Sequence, residues 1–321
     1  MAFLVEISIV VPVYRSEDCL RALEAAVDQA LRRAGFSYEL VLVNDASPDA
    51  SWAAIKSLAE KNPAVKGVSH RRNFGQDNAI MTGLRYAVGA AIVIMDDDLQ
   101  HSPEDIPKLH AEMLRSGADV VYAHFRKKKQ AYWKNLGSSF NGKVAEWLID
   151  KPANIYLSPF KIIRGDVVEL VTSFDEPHPY LDSLLFQVTN RFSFIEVEHR
   201  ERFKGGSTYT FWKSMQVWGR MASSSSVKPL RLVTWMGFLA SALGVVGATL
   251  VIFYRVARPD QFSGGAVGWA SLMVTVLVLA GMQMLALGVL GEYVGRTHLN
   301  IHRRPQSVVA ETVSIEQLGD S

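Results

Sequence analysis

Over the first 125 residues, short continuous apolar runs alternate with stretches in which apolar residues return every three or four positions. The run ISIVVPV (7–13) reads as a strand. Behind it Leu20, Leu23, Val27, Ala30 and Leu31 share one helical face, and Gly35 supplies the stop. The unit then repeats. YELVLVN (38–44) precedes a turn and a helix to about residue 60, and VKGVS (65–69) precedes a helix over 76–87. AIVIM (91–95) precedes a helix opened by Ser102 and Pro103, with Asp105 in a capping-box position, and VVYA (120–123) closes the series. Strands alternating with helices predict an α/β domain whose mainly parallel sheet is covered on both faces. In such sheets ligands bind beyond the carboxyl ends of the strands. That places the chemistry at 12–14, 44–47, 72–75 and 96–100, all of them polar or turn-forming.

Past residue 231 the pattern changes. Only Arg255, Arg258 and Asp260 carry charge between residues 232 and 291, which leaves uncharged runs of 23 residues from Leu232 to Tyr254 and 31 from Gln261 to Gly291. At a rise of ~1.5 Å per residue each run is long enough to cross a hydrocarbon core of ~30 Å. Neither shows a polar face, so two membrane spans are expected rather than two core helices of a soluble domain. Arg220, Lys228 and Arg231 before the first run, with Arg296, Arg303 and Arg304 after the second, outnumber the two Arg of the connection RVARPDQFSGGA. This excess predicts a multi-pass protein of the cytoplasmic (inner) membrane with both termini cytoplasmic. The start MAFLVEISIVVPVY lacks a basic region and enters strand-like alternation at once, unlike a signal peptide.

Just before the first run, Phe211, Trp212, Met215, Trp218 and Met221 recur at helical spacing with Lys213 and Arg220 between them. This reads as an interfacial amphipathic helix; from pattern alone, a helix packed on the soluble part fits equally. The expected organisation is therefore an α/β domain over 1–208, an interfacial region over 209–231, a transmembrane hairpin over 232–291 and a cytoplasmic tail over 292–321. Gly244 and Gly247 in the first run, and Gly281, Gly288, Gly291 and Gly295 around the second, permit close helix contact and agree with a homo-oligomer.

Composition narrows the chemistry. With 34 Lys plus Arg against 32 Asp plus Glu, the formal charge of +2 speaks against nucleic acid as a partner. Cys19 is the single cysteine, so no intrachain disulfide or thiolate cluster is available, and a reducing compartment fits. The strongest local signal is MDDDLQ (95–100): three adjacent acids at the end of a buried strand repel one another and cost stability unless a cation neutralises them. In extended chain Asp96 and Asp98 point the same way and can offer oxygens to a Mg²⁺ or Mn²⁺ ion that also holds phosphate oxygens, with Gln100 as a further ligand or a support behind one. No His pair at ligand spacing accompanies them, which argues against zinc. The plain alternative is a solvated acidic loop ahead of a helix N-terminus.

VVPVYRSED, LVNDASPD, HRRNFGQDNAIMTGL, IVIMDDDLQHSPEDIP, HRERFKGGSTY and GVLGEYVGR, in this order and with two apolar runs, resemble the polyprenyl-phosphate glycosyltransferases of glycosyltransferase family 2. These are the dolichol-phosphate mannosyltransferase and bacterial undecaprenyl-phosphate sugar transferase type, and the likeness runs from about Ile7 to Arg304. It implies a GT-A catalytic domain that moves a sugar from a nucleotide-diphosphate donor to a membrane polyprenyl phosphate. Inversion, a divalent metal and, in several relatives, a tetramer go with it. By the same resemblance Pro12, Tyr14 and Asp45 are nucleotide-binding positions, with Asp45 accepting a hydrogen bond from the base or ribose. Asp96, Asp98 and Gln100 form the metal and diphosphate group, with Asp97 at the variable middle position on the donor side. Arg202, Gly205, Ser207 and Tyr209 match the R-x-x-G-x-S-x-Y stretch that closes over phosphates, where Arg202 would carry catalytic charge. Arg72 matches RNFG and serves either donor contact or an ion pair.

Four further features qualify the match. Arg15 and Ser16 follow VPVY where relatives carry Asn-Glu, which weakens the case for Glu17 at the base, and Gln76 stands where Lys is common. IYLSPFKII, with Tyr156, replaces a D-x-G-x-F-R-L segment whose Asp has been proposed as a base. The lipid phosphate, with a second pKa near ~6, is mostly ionised at neutral pH and can attack without one. Arg126, Lys127, Lys128 and Lys129, and separately Lys161, are candidates for holding acceptor phosphate; the run also reads as a solvated or lipid-facing turn. A non-catalytic nucleotide-sugar-binding scaffold and a transferase with a different acceptor remain as alternatives.

Overall fold

The computed structural model describes residues 5–125, 157–177, 179–197, 228–257, 268–301 and 305–315. The chain forms two compact units, one of residues 1–214 with 303–321 and one of residues 215–302. The first begins with β1 (Val5–Val13), α1 (Leu20–Ala34), β2 (Tyr38–Asn44), α2 (Ser51–Lys61), β3 (Val65–His70), α3 (Gln76–Tyr86) and β4 (Gly89–Ile94). After a 3-10 turn (Pro103–Asp105) come α4 (Ile106–Ser116), β5 (Val120–Phe125), β6 (Lys161–Arg164), α5 (Gly165–Thr172), α6 (Leu181–Val188) and β7 (Phe192–Val197). The second unit holds α7 (Lys228–Ala257) and α8 (Trp269–Ile301); the chain then returns to the first as β8 (Val309–Val313).

The eight strands lie in the order β7-β5-β6-β4-β1-β2-β3-β8. Strands β1 to β4 are parallel, β6 is antiparallel to β4 and β5, and β8 is antiparallel to β3. The central strands are buried on both faces, which is why they read as unbroken apolar runs. In β1, Ile7, Ile9, Val11 and Val13 enter the core under α1, α2 and α4, while Val10 enters the core under α3 and α5. Helix α1 buries Leu20, Leu23, Val27, Ala30 and Leu31, the face its spacing predicts, and ends at Gly35 in the left-handed conformation (φ 79°). Helix α3 lies so close on β1 that a Cβ at Gly83 would fall 2.4 Å from Val10 Cγ1. That close seat fixes the N-terminus of α3 beside the carboxyl ends of β1 and β2.

Two local expectations change. The capping box at Ser102 does not form: its hydroxyl turns to Glu104, and 103–105 makes a tight 3-10 turn before α4. More consequentially, residues 309–313, read as tail, complete the sheet along β3, pairing Gly67 with Val313 and Ser69 with Glu311. Trp52 Nε1 donates to Glu311 at 2.8 Å and pins the added strand to α2.

In the second unit α7 has 30 residues and α8 has 33. Among the described residues one helix carries an 18-residue stretch apolar enough to cross a bilayer, Val278–Gly295 with a mean hydropathy of 1.4; the apolar stretch of α7, Val233–Gly247, is shorter. A second span is thus not evident from helix composition alone. Among the described residues, added Cβ atoms at Gly244, Gly247, Gly281, Gly288, Gly291 and Gly295 would meet nothing within 4 Å. The interfacial region ahead of Lys228 lies outside the described residues.

Candidate active site

Strands β2 and β3 are added on one side of β1 and β4 on the other, so the winding reverses between β1 and β4 and opens a crevice at their carboxyl ends. Every loop there holds a residue with positive φ: Arg15 (59°) after β1, Ala46 (51°) after β2, Gly75 (97°) after β3 and Leu99 (60°) after β4. Three of the four are not glycine, a concentration of backbone strain typical of functional loops.

The acidic triplet follows β4 at this crevice. Burial, with the charges of Asp98 and Asp97, pushes the Asp96 carboxyl from an ordinary 3.8 up to about 6, against the pull of Lys161 and a hydrogen bond from Gln76. Gln76 Nε2 reaches Asp96 Oδ1 at 2.9 Å from the first turn of α3. His101 accepts the Asp96 backbone N–H on Nδ1 at 3.1 Å and stacks on Phe160 with ring centroids 5.1 Å apart. Asp98 Oδ1 accepts the Gln100 backbone N–H at 3.1 Å, which curls the loop. Asp97 faces the other way: it accepts from Ser16 Oγ and the Tyr14 amide and so ties the β4 loop to the β1 loop, although burial still holds its carboxyl above the ordinary range. Tyr14 is 45% exposed on the crevice rim with the Arg15 guanidinium 5.5 Å from its ring, while Pro12 is buried in β1 opposite Val43.

Other expected positions take different partners. Asp45 is 3% exposed and is spent within the protein. Its Oδ1 receives His70 Nδ1 and the Phe74 amide, and its Oδ2 the Gly75 amide, each at 2.8 Å. Burial alone would raise its carboxyl, but these donors outweigh burial and hold it below the ordinary range. Asp45 therefore anchors the β3–α3 loop, beside the position where a base or ribose contact is expected. Arg72 in that loop is exposed and stacks over Phe74 at 4.6 Å. Glu17 accepts the Ala50 amide at 2.7 Å ahead of α2, in keeping with its weak claim on the nucleobase.

Lys161 was expected to hold phosphate. Because β6 starts where β4 ends, Lys161 pairs with Ile94, yet it is 3% exposed and its ammonium is ion-paired with Asp182. Tyr122 OH donates to the same Asp182 oxygen at 2.9 Å. Lys161 thus acts on Asp96 as a buried positive charge. Arg126, Tyr156, Arg202, Gly205, Ser207 and Tyr209 lie outside the described residues.

The donor set of the crevice suits a hard divalent cation: two carboxylates on one turn, burial and acidic neighbours that raise Asp96, and the amide oxygen of Gln100. Among the described residues no three carboxylate, imidazole or thiolate groups form a complete metal cage. Magnesium-type sites that bind through one or two carboxylates and complete their shell with substrate phosphates have this composition.

The mixed, mostly parallel sheet with an acidic turn at its switch point is a GT-A-like α/β domain. Residues 8–169 match the family model "Glycosyl transferase family 2", and the chain belongs to that family: it is a glycosyltransferase. It is 31% identical over 311 residues, covering 95% of this chain and 98% of the relative, to a prophage bactoprenol glucosyl transferase homolog of Escherichia coli K12. It is 29% identical over 309 residues, 96% and 94% of the two chains, to the undecaprenyl-phosphate 4-deoxy-4-formamido-L-arabinose transferase of Serratia proteamaculans. Among solved structures, glucosyl-3-phosphoglycerate synthase of Mycobacterium tuberculosis, in complex with Mn²⁺, uridine-diphosphate-glucose and phosphoglyceric acid, superimposes with a TM-score of 0.50 at 15% identity, over 68% of this chain and 79% of that one. That likeness supports the fold.

Proposed function

We propose that this glycosyltransferase moves a sugar from a nucleotide-diphosphate donor to a membrane polyprenyl phosphate, undecaprenyl phosphate in particular, at the cytoplasmic face and with inversion. The observation that carries the donor half is the Asp96–Asp98 pair in the crevice between β1 and β4, where burial and neighbouring acids push the Asp96 carboxyl up to about 6. The acceptor half is supported by relatives named for bactoprenol and undecaprenyl phosphate that match over nearly their whole length.

Membrane attachment is supported by the apolar stretch Val278–Gly295. The pairing of β8 with β3 adds a topological constraint. An odd number of crossings between residues 197 and 309 would leave these two strands on opposite sides of a bilayer. An even number of crossings fits this pairing, which supports α7 and α8 crossing together as a two-span hairpin. Helices of 30 and 33 residues, at ~1.5 Å per residue, suffice for a ~30 Å core.

Asp96 and Asp98 would hold Mg²⁺ or Mn²⁺ with Gln100 beside them. When bound, the ion supplies Lewis-acid stabilisation of charge growing on the departing nucleoside diphosphate. Gln76 and His101 keep the Asp96 oxygens and backbone in place, and the Asp97–Ser16 bond keeps the two crevice walls together. Lys161, fixed by Asp182 and Tyr122, offsets part of the acidic repulsion from behind. Exposed Tyr14 and Arg72 line the donor side, and Arg126, Arg202, Ser207 and Tyr209 are proposed for the phosphates. The ionised acceptor phosphate forms the new bond to the anomeric carbon from the face opposite the leaving diphosphate, so no protein base is required.

The test is transfer of radiolabel from UDP-glucose and GDP-mannose, with Mn²⁺, to undecaprenyl phosphate by the purified full chain. Asp96→Ala and Asp98→Ala should each lower transfer by roughly a thousandfold while circular dichroism stays that of the parent. Undiminished transfer in either variant rejects the metal role. Nucleotide binding by the parent without label entering lipid favours the scaffold.

A further inference from the structure

We infer that Ser307, Thr82, His70 and Asp45 form a hydrogen-bonded relay that positions the 71–75 loop for the donor, so that the segment following the second apolar helix is part of the donor site. The inference rests on the donor-site reading above. The relay runs from Ser307 Oγ to Thr82 Oγ1 (2.7 Å), from Thr82 Oγ1 to His70 Nε2 (2.9 Å) and from His70 Nδ1 to Asp45 Oδ1 (2.8 Å). It ends on the amides of Phe74 and Gly75. His70 Nδ1 meets the Asp45 carboxylate, and Thr82 Oγ1 lies between His70 Nε2 and Ser307 Oγ. The Thr82 hydroxyl donates to the Asn78 carbonyl at 2.9 Å, which holds it in place between the two.

Three observations separate this from a stabilising core contact. Asp45, His70 and Thr82 are 3%, 3% and 2% exposed, and a buried polar chain is a poor way to gain stability that Val or Leu would supply more cheaply. The chain terminates at the loop that carries exposed Arg72 and Gly75 with φ 97°. Its far end is held on several sides: Gln306 Nε2 donates to the Glu176 carbonyl at 2.8 Å, the Arg71 amide to the Val308 carbonyl at 2.9 Å, and Val309 pairs with His70. The return segment and the donor loop therefore form one hydrogen-bonded piece.

Ser307, Thr82 and His70 are positioning residues here, and the readout is the split between donor KM and kcat in the transfer assay described above. Thr82→Val and Ser307→Ala should each raise donor KM roughly three- to tenfold with kcat within about twofold, the size of one hydrogen bond. Thr82→Ser, which keeps the hydroxyl, should restore the parent KM. Unmoved KM in both variants, or losses that Thr82→Ser does not repair, overturn the relay. Asp96→Ala in parallel separates the two ideas: if it stays active, or if the parent uses neither UDP-glucose nor GDP-mannose, the donor-site reading falls and the relay with it. An inactive Asp96→Ala beside unmoved KM values overturns the relay alone.

Discussion

Asp45 and Asp96 stand at equivalent places, each just beyond the carboxyl end of a buried parallel strand, and the structure treats them in opposite ways. Around Asp45 the protein supplies a histidine and two amides, and the carboxyl is held below its ordinary range. Around Asp96 it supplies one glutamine amide, the His101 imidazole 4.0 Å away and a more distant ammonium, adds two more acids, and the carboxyl rises to about 6. Burial acts on both, so the difference lies in the donors. An acid whose donors come from the protein is part of the scaffold; one that the scaffold leaves strained is suited to a ligand that brings its own positive charge.

Replacement of Asp45 should break that comparison on the side of stability. Asp45→Ala removes the anchor of two amides and a buried imidazole and should cost about 3 kcal/mol of unfolding free energy, read by denaturant titration. Because the folded-state carboxyl is depressed, this contribution is fully present above its ordinary value near 3.8 and is lost as pH falls through the lower folded value. The reverse sign is expected at the other site. Asp96 is raised, so without metal its ionisation penalises the fold; the penalty develops as pH rises from about 3.8 to about 6 and is constant above that. Asp96→Asn in EDTA at pH 7 should therefore melt higher than the parent, by the equivalent of on the order of 1–3 kcal/mol. The gain should vanish near pH 4, and Mn²⁺ should reverse the order by stabilising only the parent. A parent that melts higher than the variant in EDTA would show that the acidic turn is content without a cation. The smallest effect is expected at Gln76, where Ala should remove one hydrogen bond to Asp96, cost about 1 kcal/mol or less, and weaken Mn²⁺ binding only a few-fold in calorimetry.

Much of this was legible in the chain. The strand and helix alternation, the buried face of α1 and its stop at Gly35, and the gathering of 12–14, 44–47, 72–75 and 96–100 at one edge all follow from local periodicity and one topological rule. Gln76 and His101 were passed over as site residues, although each adjoins a motif: an amide at the first turn of α3 and an imidazole five residues beyond Asp96 were signals at hand. Strand β8 was harder. VAETV is five residues long, half polar and at a sheet edge, and its partner β3 lies more than 230 residues away in the chain. Lys161 likewise looked like a phosphate ligand until Asp182 came to it from α6.

By itself the sequence determined where buried backbone would run and where polar groups would emerge from it, because the hydrophobic period is written in neighbouring residues. Tertiary structure alone decided which of those polar groups are already satisfied. The charge state of a buried acid depends on donors a few ångströms away, and for Asp45 these come from residues 25 to 30 positions distant, with Ser307 further still behind them. Distance along the chain carries no information about such contacts, so the same residue type at the same strand end became an anchor in one place and an open site in the other.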